Sequence, residues 1–510
     1  MTTVLQFEQV PVHGESHTQT VSTHSDGVPV QVTITDPSFE ASGNSGNVKV
    51  IPTEYYDRFL SREAKERLPS PIRSLFPLET RPGMISLLAG KPNPTTFPFT
   101  SLDFSCRSPT DPSQETALRL SRNELAVGLQ YGSTAGLEGL VAWAEGLQAV
   151  SHGRKQGEGW TACIGSGSQD LISKVGQHLV FSLRNSYAFC DVFDIDRPSA
   201  LCFSHTYYRR LNQSIAFRGV LPMFQTLHCQ QIEVDTDANG ISVTSLRSIL
   251  ENWPAGKPKP KCLYTVPYGC NPTGMTASLE RRKEVLALAR QHDFLILEDD
   301  PYYYLYYGKA PRPPSYFALE LQEAEVGRVL RFDSLSKILS AGCRIGIASG
   351  PEPLITAINR HTSTANLSAN GLAQAIVLKL LTSWGYDGFL THTRGVSEFY
   401  RGRRDVFEAA MQKHLQGLAE WTSPEAGMFV WFKLLLSRPG ATAVEDDSAE
   451  IIRIHALEKG VLALPGTAFL PNGRKTAYVR ASFSLLGDAD IDEALRRLAS
   501  VVAEARGGDV

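Results

Sequence analysis

The residues with the clearest potential for chemistry lie in one short segment, VLRFDSLSKILSAGCRIGIASG. A predicted strand runs into a loop that holds Ser334, Ser336 and Lys337, and Arg344 follows seven residues after the lysine. A lysine that forms an imine needs an ammonium pKa below its usual value, which neighbouring positive charge and partial burial supply. The serines and Arg344 are suited to donate hydrogen bonds to a phosphate dianion, the arginine in a bidentate manner. For this segment alone, a solvated loop with an isolated lysine is an equally good interpretation.

A second segment, GSGSQDLISKV, predicts an anion site at the start of a helix. Gly165 and Gly167 precede Ser168 and Gln169, which open an amphipathic pattern. The free amide groups and the dipole at a helix N-terminus favour a bound anion. A glycine-rich turn by itself is weak support, so this segment matters only in combination with the others.

Two further segments place polar side chains where predicted strands end. TVPYGCNPTG puts Asn271 after a strand and before a tight turn, and FLILEDDPYYY ends a strand in Asp299 and Asp300, with Tyr302 and Tyr303 just beyond. Groups at the carboxyl ends of parallel strands lie where ligands bind in open α/β sheets. Spacing by itself does not choose between the two carboxylates.

Positioning these residues requires alternating strands and helices. Short apolar runs alternate with amphipathic segments between about residues 121 and 380, which predicts an α/β fold with a mostly parallel sheet flanked by helices. The strand candidates are Lys261–Tyr268, Phe294–Leu297, Val329–Phe332 and Ile345–Ser349, and the helix candidates are Leu171–Leu183 and Leu279–His292. The predicted organisation is a flexible polar tail (1–48), an N-terminal arm that is part of a small domain (49–120), a large domain (121–380) and a C-terminal small domain (381–510).

Composition excludes several classes of protein. The chain has 510 residues, of which 42% are hydrophobic, and 50 basic against 53 acidic side chains give a net charge of -3. This balance offers no general attraction to nucleic acid or to anionic lipid, and no apolar run has the ~20 residues that cross a bilayer. The first basic residues are Lys49 and Arg58, which argues against a mitochondrial presequence, so we expect a cytoplasmic protein. The eight cysteines lack metal-site spacing and are expected to be free thiols.

Taken together, the four segments fit one cofactor, pyridoxal 5′-phosphate (PLP). They offer a lysine for its aldehyde, a carboxylate for its pyridine nitrogen, donors for its O3′ and a phosphate cup. The order SGSQ, NPTG, EDDPY, SLSK, an arginine seven residues on, and VRASFS resembles the class I/II aminotransferases of PLP fold type I. Within them the chain is most similar to the aromatic amino acid and 2-aminoadipate/kynurenine aminotransferase group, from about Pro69 onward. The resemblance also implies that the small domain combines N- and C-terminal segments.

This resemblance implies a role for each matching residue. Lys337 would form the imine with the cofactor and then move a proton between Cα and C4′. Asp299 would keep the pyridine nitrogen protonated, and the family spacing from Asp to Tyr favours it over Asp300. Arg480, in YVRASFS, would pair with the substrate α-carboxylate. The O3′ donors would be Asn271 and Tyr302, and the phosphate would be held by Ser168, Gln169, Ser334, Ser336 and Arg344.

Four further positions carry the resemblance less completely. Tyr131, in LQYGSTAG, resembles a tyrosine that reaches the phosphate of the neighbouring subunit, which implies a homodimer with shared active sites. Tyr207, with Tyr208 as the alternative, would stack on the cofactor ring, although the acidic and proline residues of the family pattern are missing there. Arg73 would lie over the substrate side chain or merely anchor the arm, and Gly90 would allow close backbone approach. GMFVWFKL, with Phe429 and Trp431, is interpreted as a core strand rather than a pocket wall.

The predicted function is a ping-pong transamination from an aromatic amino acid or 2-aminoadipate to 2-oxoglutarate. The expected binding partners are therefore small-molecule amino acids and 2-oxo acids. A PLP-dependent lyase or synthase of the same fold is the alternative, because fold does not fix chemistry. An aminotransferase-like transcription regulator would need a basic helix-turn-helix before the PLP domain. The segment before Lys49 holds no lysine or arginine, so this last hypothesis is poor.

Overall fold

The computed structural model describes residues 48–88, 90–176, 187–191, 220–227, 230–437, 447–470 and 475–507. All of them belong to one compact unit, Asn47–Val510. In this part of the chain, no helix is both long and apolar enough to cross a membrane. The strands are β1 (Leu102–Arg107), β2 (Glu115–Leu120), β3 (Trp160–Gly165), β4 (Tyr187–Asp191), β5 (Gln230–Val234), β6 (Thr236–Asp237), β7 (Gly240–Ile241), β8 (Cys262–Thr265), β9 (Leu295–Asp300), β10 (Val329–Ser334), β11 (Gly346–Pro351), β12 (Ala419–Trp421), β13 (Phe429–Leu434), β14 (Leu464–Pro465) and β15 (Tyr478–Ser482).

The helices cover both faces of the larger sheet and the outside of a smaller one. They are α1 (Arg62–Glu66), α2 (Arg122–Leu129), α3 (Glu138–His152), α4 (Ser168–Val175), α5 (Leu221–Thr226), α6 (Val243–Glu251), α7 (Leu279–His292), α8 (Tyr316–Leu319), α9 (Glu352–Ala365), α10 (Gly371–Leu415), α11 (Ser448–Glu450) and α12 (Asp488–Ala505). Several begin at a serine that caps a free backbone amide; Ser278, for example, accepts a hydrogen bond from the amide of Arg281 at the start of α7. Helix α10 is interrupted at Gly385, where φ is 63°.

The large sheet has seven strands in the order β3-β11-β10-β9-β8-β4-β5. The pairs from β10 to β5 are parallel, whereas β11 runs antiparallel to both of its neighbours. The prediction of a mostly parallel sheet is therefore confirmed, and the four predicted strands correspond to β8, β9, β10 and β11. The connection between β10 and β11 holds only two short 3-10 turns, too little for the crossover that a parallel pair needs, so β11 turns back beside β10.

Successive side chains of the central strands point to opposite faces of the large sheet, and each face packs against its own hydrophobic core. Leu295 and Leu297 of β9 face one side, where α4 and α9 pack, whereas Ile296 faces the side of α6 and α7. On β10, Leu330 and Phe332 share the first side, and on β8 Tyr264 does so too. Because successive side chains of a strand point to opposite faces, Asp299, Ser334 and Tyr264 are placed on the α4 side of the sheet.

The C-terminal part forms a second, four-stranded antiparallel sheet in the order β12-β13-β15-β14. Helices α10 and α12 pack together against it around a core that includes Val430, Phe432, Val479 and Leu498. In the register of this sheet, Arg480 of β15 lies opposite Trp431 of β13. A separate hairpin of β1 and β2 contacts α10. Predicted helix Leu279–His292 has these bounds in the structure, while Leu171–Leu183 is described only as far as α4 extends.

Candidate active site

A cavity of about 180 Å³ lies beyond the carboxyl ends of the central strands. Strands β9 and β10 bring carboxylate and hydroxyl groups to it, the loop after β10 brings a lysine, and the second sheet contributes an aromatic ring. The lining residues are Ser168, Gln169, Val266, Asn271, Asp299, Pro301, Tyr302, Ser334, Ser336, Lys337, Arg344 and Phe429. Nine of the residues that the sequence motifs singled out thus meet in one place, although they come from four separate segments of the chain.

Lys337 ends a short 3-10 helix, Leu335–Lys337, that begins directly after β10. Ser334 caps this turn, since its hydroxyl accepts a hydrogen bond from the amide of Ser336 at 3.3 Å. Burial, with the charge of Arg344 as a smaller cause, lowers the pKa of the Lys337 ammonium. Among the described residues, Lys337 Nζ has no hydrogen-bond partner, so the amine is available to a ligand in the cavity. A lowered pKa increases the neutral fraction, which is the nucleophilic and basic form.

The two carboxylates at the end of β9 face opposite sides of the sheet. Asp299 lines the cavity, and its Oδ2 accepts a hydrogen bond from the Tyr264 hydroxyl at 2.6 Å. Asp300 points to the other side, where its Oδ2 accepts a hydrogen bond from Arg331 Nη1 at 2.7 Å. Burial raises the pKa of Asp299 to about 6, although the hydrogen bond from Tyr264 acts in the opposite direction. The geometry thus offers Asp299, and not Asp300, to a ligand in the cavity.

Asn271 and Arg480 form the link between the two sheets at the cavity. Arg480 Nη1 donates a hydrogen bond to Asn271 Oδ1 at 2.7 Å, which leaves the amide NH₂ of Asn271 to donate elsewhere. The guanidinium lies over the ring of Phe429, 4.2 Å from its centroid, and 5.0 Å from that of Phe469. Burial lowers the pKa of Arg480, but a guanidinium stays charged in the physiological range. A cation thus adjoins the cavity wall on the side of the second sheet.

The opposite end of the cavity is rich in hydrogen-bond donors. Arg344 Nη1 donates to Ser336 Oγ at 2.9 Å, and its Nη2 donates to the carbonyl of Ser166 at 2.9 Å. Gly167 precedes α4 with φ of 97°, and a Cβ there would collide with the Arg344 guanidinium. Ser168 and Gln169 open α4, and the amides of a first helical turn have no acceptor within the helix itself. These groups form a site suited to a dianion.

Tyr302 lies in the wall between these two ends. Its side chain is buried, and burial together with the nearby Asp299 raises the pKa of its hydroxyl. The phenol therefore keeps its proton and can donate a hydrogen bond. The short 3-10 helix that follows, Tyr303–Leu305, turns the chain away from the cavity.

Comparison with known proteins places the chain in a family. The sequence profile described as aminotransferase class I and II matches residues 188–498. The aminotransferase tdiD of Emericella nidulans is 43% identical over 436 residues, which cover 85% of this chain and 93% of that protein. The chain belongs to the class I and II aminotransferases. The kynurenine/alpha-aminoadipate aminotransferase of Mus musculus is 35% identical to this aminotransferase over 466 residues, 88% of this chain and 99% of that one.

Solved structures agree on the fold. Aminotransferase Aro8 from Candida albicans superposes with a TM-score of 0.75 at 23% identity, covering 90% of this chain and 99% of that one. A Pyrococcus horikoshii kynurenine aminotransferase, solved with PMP, kynurenine and KYA, has a TM-score of 0.63 at 28% identity and covers 88% of this chain and 97% of that one. The aminotransferase therefore has PLP fold type I, and the predicted cofactor, PLP, is confirmed through the family.

The residues around the cavity of this aminotransferase offer a partner for each polar group of PLP. Asp299 Oδ1 is buried and, among the described residues, accepts no hydrogen bond, so it can receive one from a protonated pyridine nitrogen. The Asn271 amide and the Tyr302 hydroxyl are donors for O3′, and Lys337 carries the free amine. The donors of Arg344, Ser336 and α4 supply a place for the phosphate. The individual roles stay predictions.

Three described residues that the resemblance assigned to the site, Arg73, Tyr131 and Gly90, are not among those that line this cavity. Arg73 Nη1 donates hydrogen bonds to the carbonyl of Gly132 and the hydroxyl of Thr134, both at 3.0 Å, which joins the arm to the loop that carries Tyr131. Tyr131 itself is half-exposed, and Gly90 has open space around its Cα. Tyr207 and its alternative Tyr208 lie outside the described residues.

The sequence motifs missed three residues of the wall: Val266, Pro301 and Phe429. The interpretation of Phe429 as core rather than pocket wall was wrong, because it opens β13 at the edge of the second sheet, under Arg480. The strand itself is present, and Trp431, two positions on, is buried and stacked on Tyr478. Tyr264 and Val266 share a face of the segment before Asn271, so alternation along that strand was a usable signal.

Proposed function

We propose that this aminotransferase moves the amino group of an aromatic amino acid or 2-aminoadipate to 2-oxoglutarate in two half-reactions. The observation that carries the proposal is the position of Arg480. It is bonded to Asn271 in the wall of the cavity that holds Lys337, and an aromatic ring, Phe429, lies beneath its guanidinium. The relatives named for kynurenine and alpha-aminoadipate support the donor class, because they cover most of this chain.

The residues of the chain divide the work of the reaction. Bound PLP supplies an aldehyde for the amino group and a ring that withdraws electrons from Cα. Lys337 Nζ would take the proton from Cα of the amino donor and deliver it to C4′ of the cofactor, and in the second half-reaction it would carry a proton from C4′ back to Cα of the acceptor. Its lowered pKa favours the neutral amine that this step needs. Asp299 holds the proton on the ring nitrogen, while Asn271 and Tyr302 donate to O3′.

Arg480 is proposed to fix the substrate by its α-carboxylate. Only Nη1 is engaged with Asn271 in the hydrogen bonds described for this side chain, and two parallel hydrogen bonds to a carboxylate suit the guanidinium geometry. Phe429 limits rotation of the guanidinium and excludes water on one side. Because Arg480 holds the α-carboxylate of the substrate in a fixed place, the substrate Cα is oriented toward Lys337.

The donor class is tested by a panel of amino acids assayed with 2-oxoglutarate, comparing the parent with Arg73→Ala and Arg480→Lys. If Arg73 serves the distal carboxylate, Arg73→Ala should lower kcat/KM for 2-aminoadipate about tenfold more than for leucine, the value of one charge-assisted hydrogen bond. Arg480→Lys should lower kcat/KM for all donors alike, because every donor carries the α-carboxylate.

An equal loss for both donors in Arg73→Ala would instead assign Arg73 to anchoring the arm at Gly132 and Thr134. Elimination products in place of a keto acid and a transferred amino group would contradict the transaminase proposal. The panel thus separates the substrate class from the reaction class.

We also propose a cytoplasmic homodimer with shared active sites. Arg73 is bonded to Gly132, which follows Tyr131 in the chain, and the side chains of Tyr131 and of the arm residues Ile85 and Leu87 are exposed. An exposed apolar arm of this kind favours a second subunit, whose cavity Tyr131 and Gly90 would reach. Sedimentation equilibrium should give about twice the chain mass of 56.0 kDa; a monomeric mass at full activity would contradict the shared site.

A further inference from the structure

Tyr264 is a fully buried phenol that contacts the cavity only through another residue. It lies on β8, next to β9 in the large sheet, with 1% of its side chain exposed. Its hydroxyl donates a hydrogen bond to Asp299 Oδ2 at 2.6 Å. This length falls in the range of hydrogen bonds from a hydroxyl to an ionised oxygen, which are about twice as strong as neutral ones.

The hydrogen bond fixes the rotation of the Asp299 carboxylate. Because Oδ2 is taken by Tyr264, the oxygen left for a ligand is Oδ1, which is buried and accepts no hydrogen bond among the described residues. A free aspartate at a strand end has two equivalent oxygens and a broad range of χ2 angles. Here the strand register and the phenol together select one orientation before any ligand binds.

The same hydrogen bond stabilises the charged form of Asp299. Burial raises the pKa of this carboxyl group, and the phenol opposes burial without being able to accept its proton in the physiological range. Without the donor, burial would be opposed only by the Ser168 hydroxyl and the charge of Arg331, and the balance would shift toward the neutral acid. A neutral Asp299 would no longer attract a protonated pyridine nitrogen.

We propose that Tyr264 is a positioning residue that holds Asp299 as an anion with Oδ1 directed at the ring nitrogen of PLP. It thereby strengthens the hold of the site on the protonated form of the cofactor. This inference rests on the proposed role of Asp299, and it extends that role to a residue from a different strand that has no contact with the substrate. It differs from a purely structural role, which would be indifferent to the ring nitrogen.

The test compares the affinity of the apoenzyme for PLP with its affinity for the 1-deaza analogue, in which carbon replaces the ring nitrogen. Tyr264→Phe should weaken PLP binding about tenfold, the value of a hydrogen bond to a charged group. Binding of the analogue should be unchanged, because it has no ring N–H for Asp299 to accept. The dissociation constants are measured by quenching of intrinsic fluorescence.

A matched control is Tyr56→Phe, which removes a phenol of equal burial. The Tyr56 hydroxyl donates to the carbonyl of Gly327 at 2.8 Å, before β10 begins and at the far end of that strand from the cavity. This variant should lower thermal stability and leave the affinities for both ligands unchanged. The variants Tyr264→Phe and Tyr56→Phe are directly comparable, since each loses one buried hydroxyl.

Three outcomes separate the inference from the role on which it rests. A variant discriminates between the ligands if it weakens binding of PLP but not of the 1-deaza analogue. If Asp299→Asn discriminates in this sense and Tyr264→Phe does not, the inference about Tyr264 is wrong and the role of Asp299 stands. If neither variant discriminates, the role of Asp299 fails and the inference fails with it. Discrimination by both variants, with none by Tyr56→Phe, is the result that we expect.

Discussion

A Lys337→Ala variant is expected to lose both half-reactions, with kcat reduced on the order of 10⁴-fold, the upper range for one acid–base group. The physical reason is that Lys337 provides the amine of lowered pKa in the cavity, and no other lysine lines it. The measurement is single-turnover absorbance of the bound cofactor after addition of an amino donor, followed by addition of 2-oxoglutarate. Each addition reports on one half-reaction separately.

The control is Lys337→Arg, which keeps the positive charge but has no neutral form at ordinary pH. We expect it to be as inactive as Lys337→Ala, whereas Lys413→Ala, at a surface ion pair with Asp492, should be fully active. Rapid half-reactions in Lys337→Ala would refute the assignment of the acid–base group. Partial rescue by added small primary amines would support it.

Asp299→Asn is expected to weaken PLP binding about a hundredfold, because the protonated ring nitrogen loses its counter-charge at a cost of about 3 kcal/mol. The neighbouring Asp300→Asn is the matched control, since both residues are buried carboxylates at the end of β9. Equilibrium binding of PLP to the apoenzyme and thermal melting of the apoenzyme are measured on both variants.

Asp300→Asn should lower the melting temperature and leave PLP affinity unchanged, because Asp300 is paired with the buried Arg331 on the other side of the sheet. Arg331 keeps its contact with Asp333 at 2.6 Å, so the fold should survive the change. A loss of affinity in Asp300→Asn that equals the loss in Asp299→Asn would show that the two carboxylates act as one electrostatic unit. In that case the assignment to Asp299 alone would fail.

The residue types and their order were enough to predict the cofactor, the family and most of the cavity wall. A lysine directly after the second of two serines, an asparagine before a turn and a carboxylate at a strand end are local patterns, and each lies next to the element that holds it. The carboxyl ends of neighbouring parallel strands meet at one edge of a sheet, which is why Asn271, Asp299 and Ser334 converge. These predictions needed only the motifs, their order along the chain and the alternation of strands and helices.

Contacts between distant segments were decided by the tertiary structure. Arg480 reaches Asn271 because β15 of the second sheet packs against the end of the large one, and Phe429 joins the wall for the same reason. Tyr264 meets Asp299 through the register of β8 beside β9, which is set only when the two strands pair. The choice of Asp299 over Asp300 depended partly on the sequence and partly on the tertiary structure. Its physical basis is the two-residue period of a strand, which is visible in the sequence, but the side that faces the ligand is set only when α4 covers one face of the sheet.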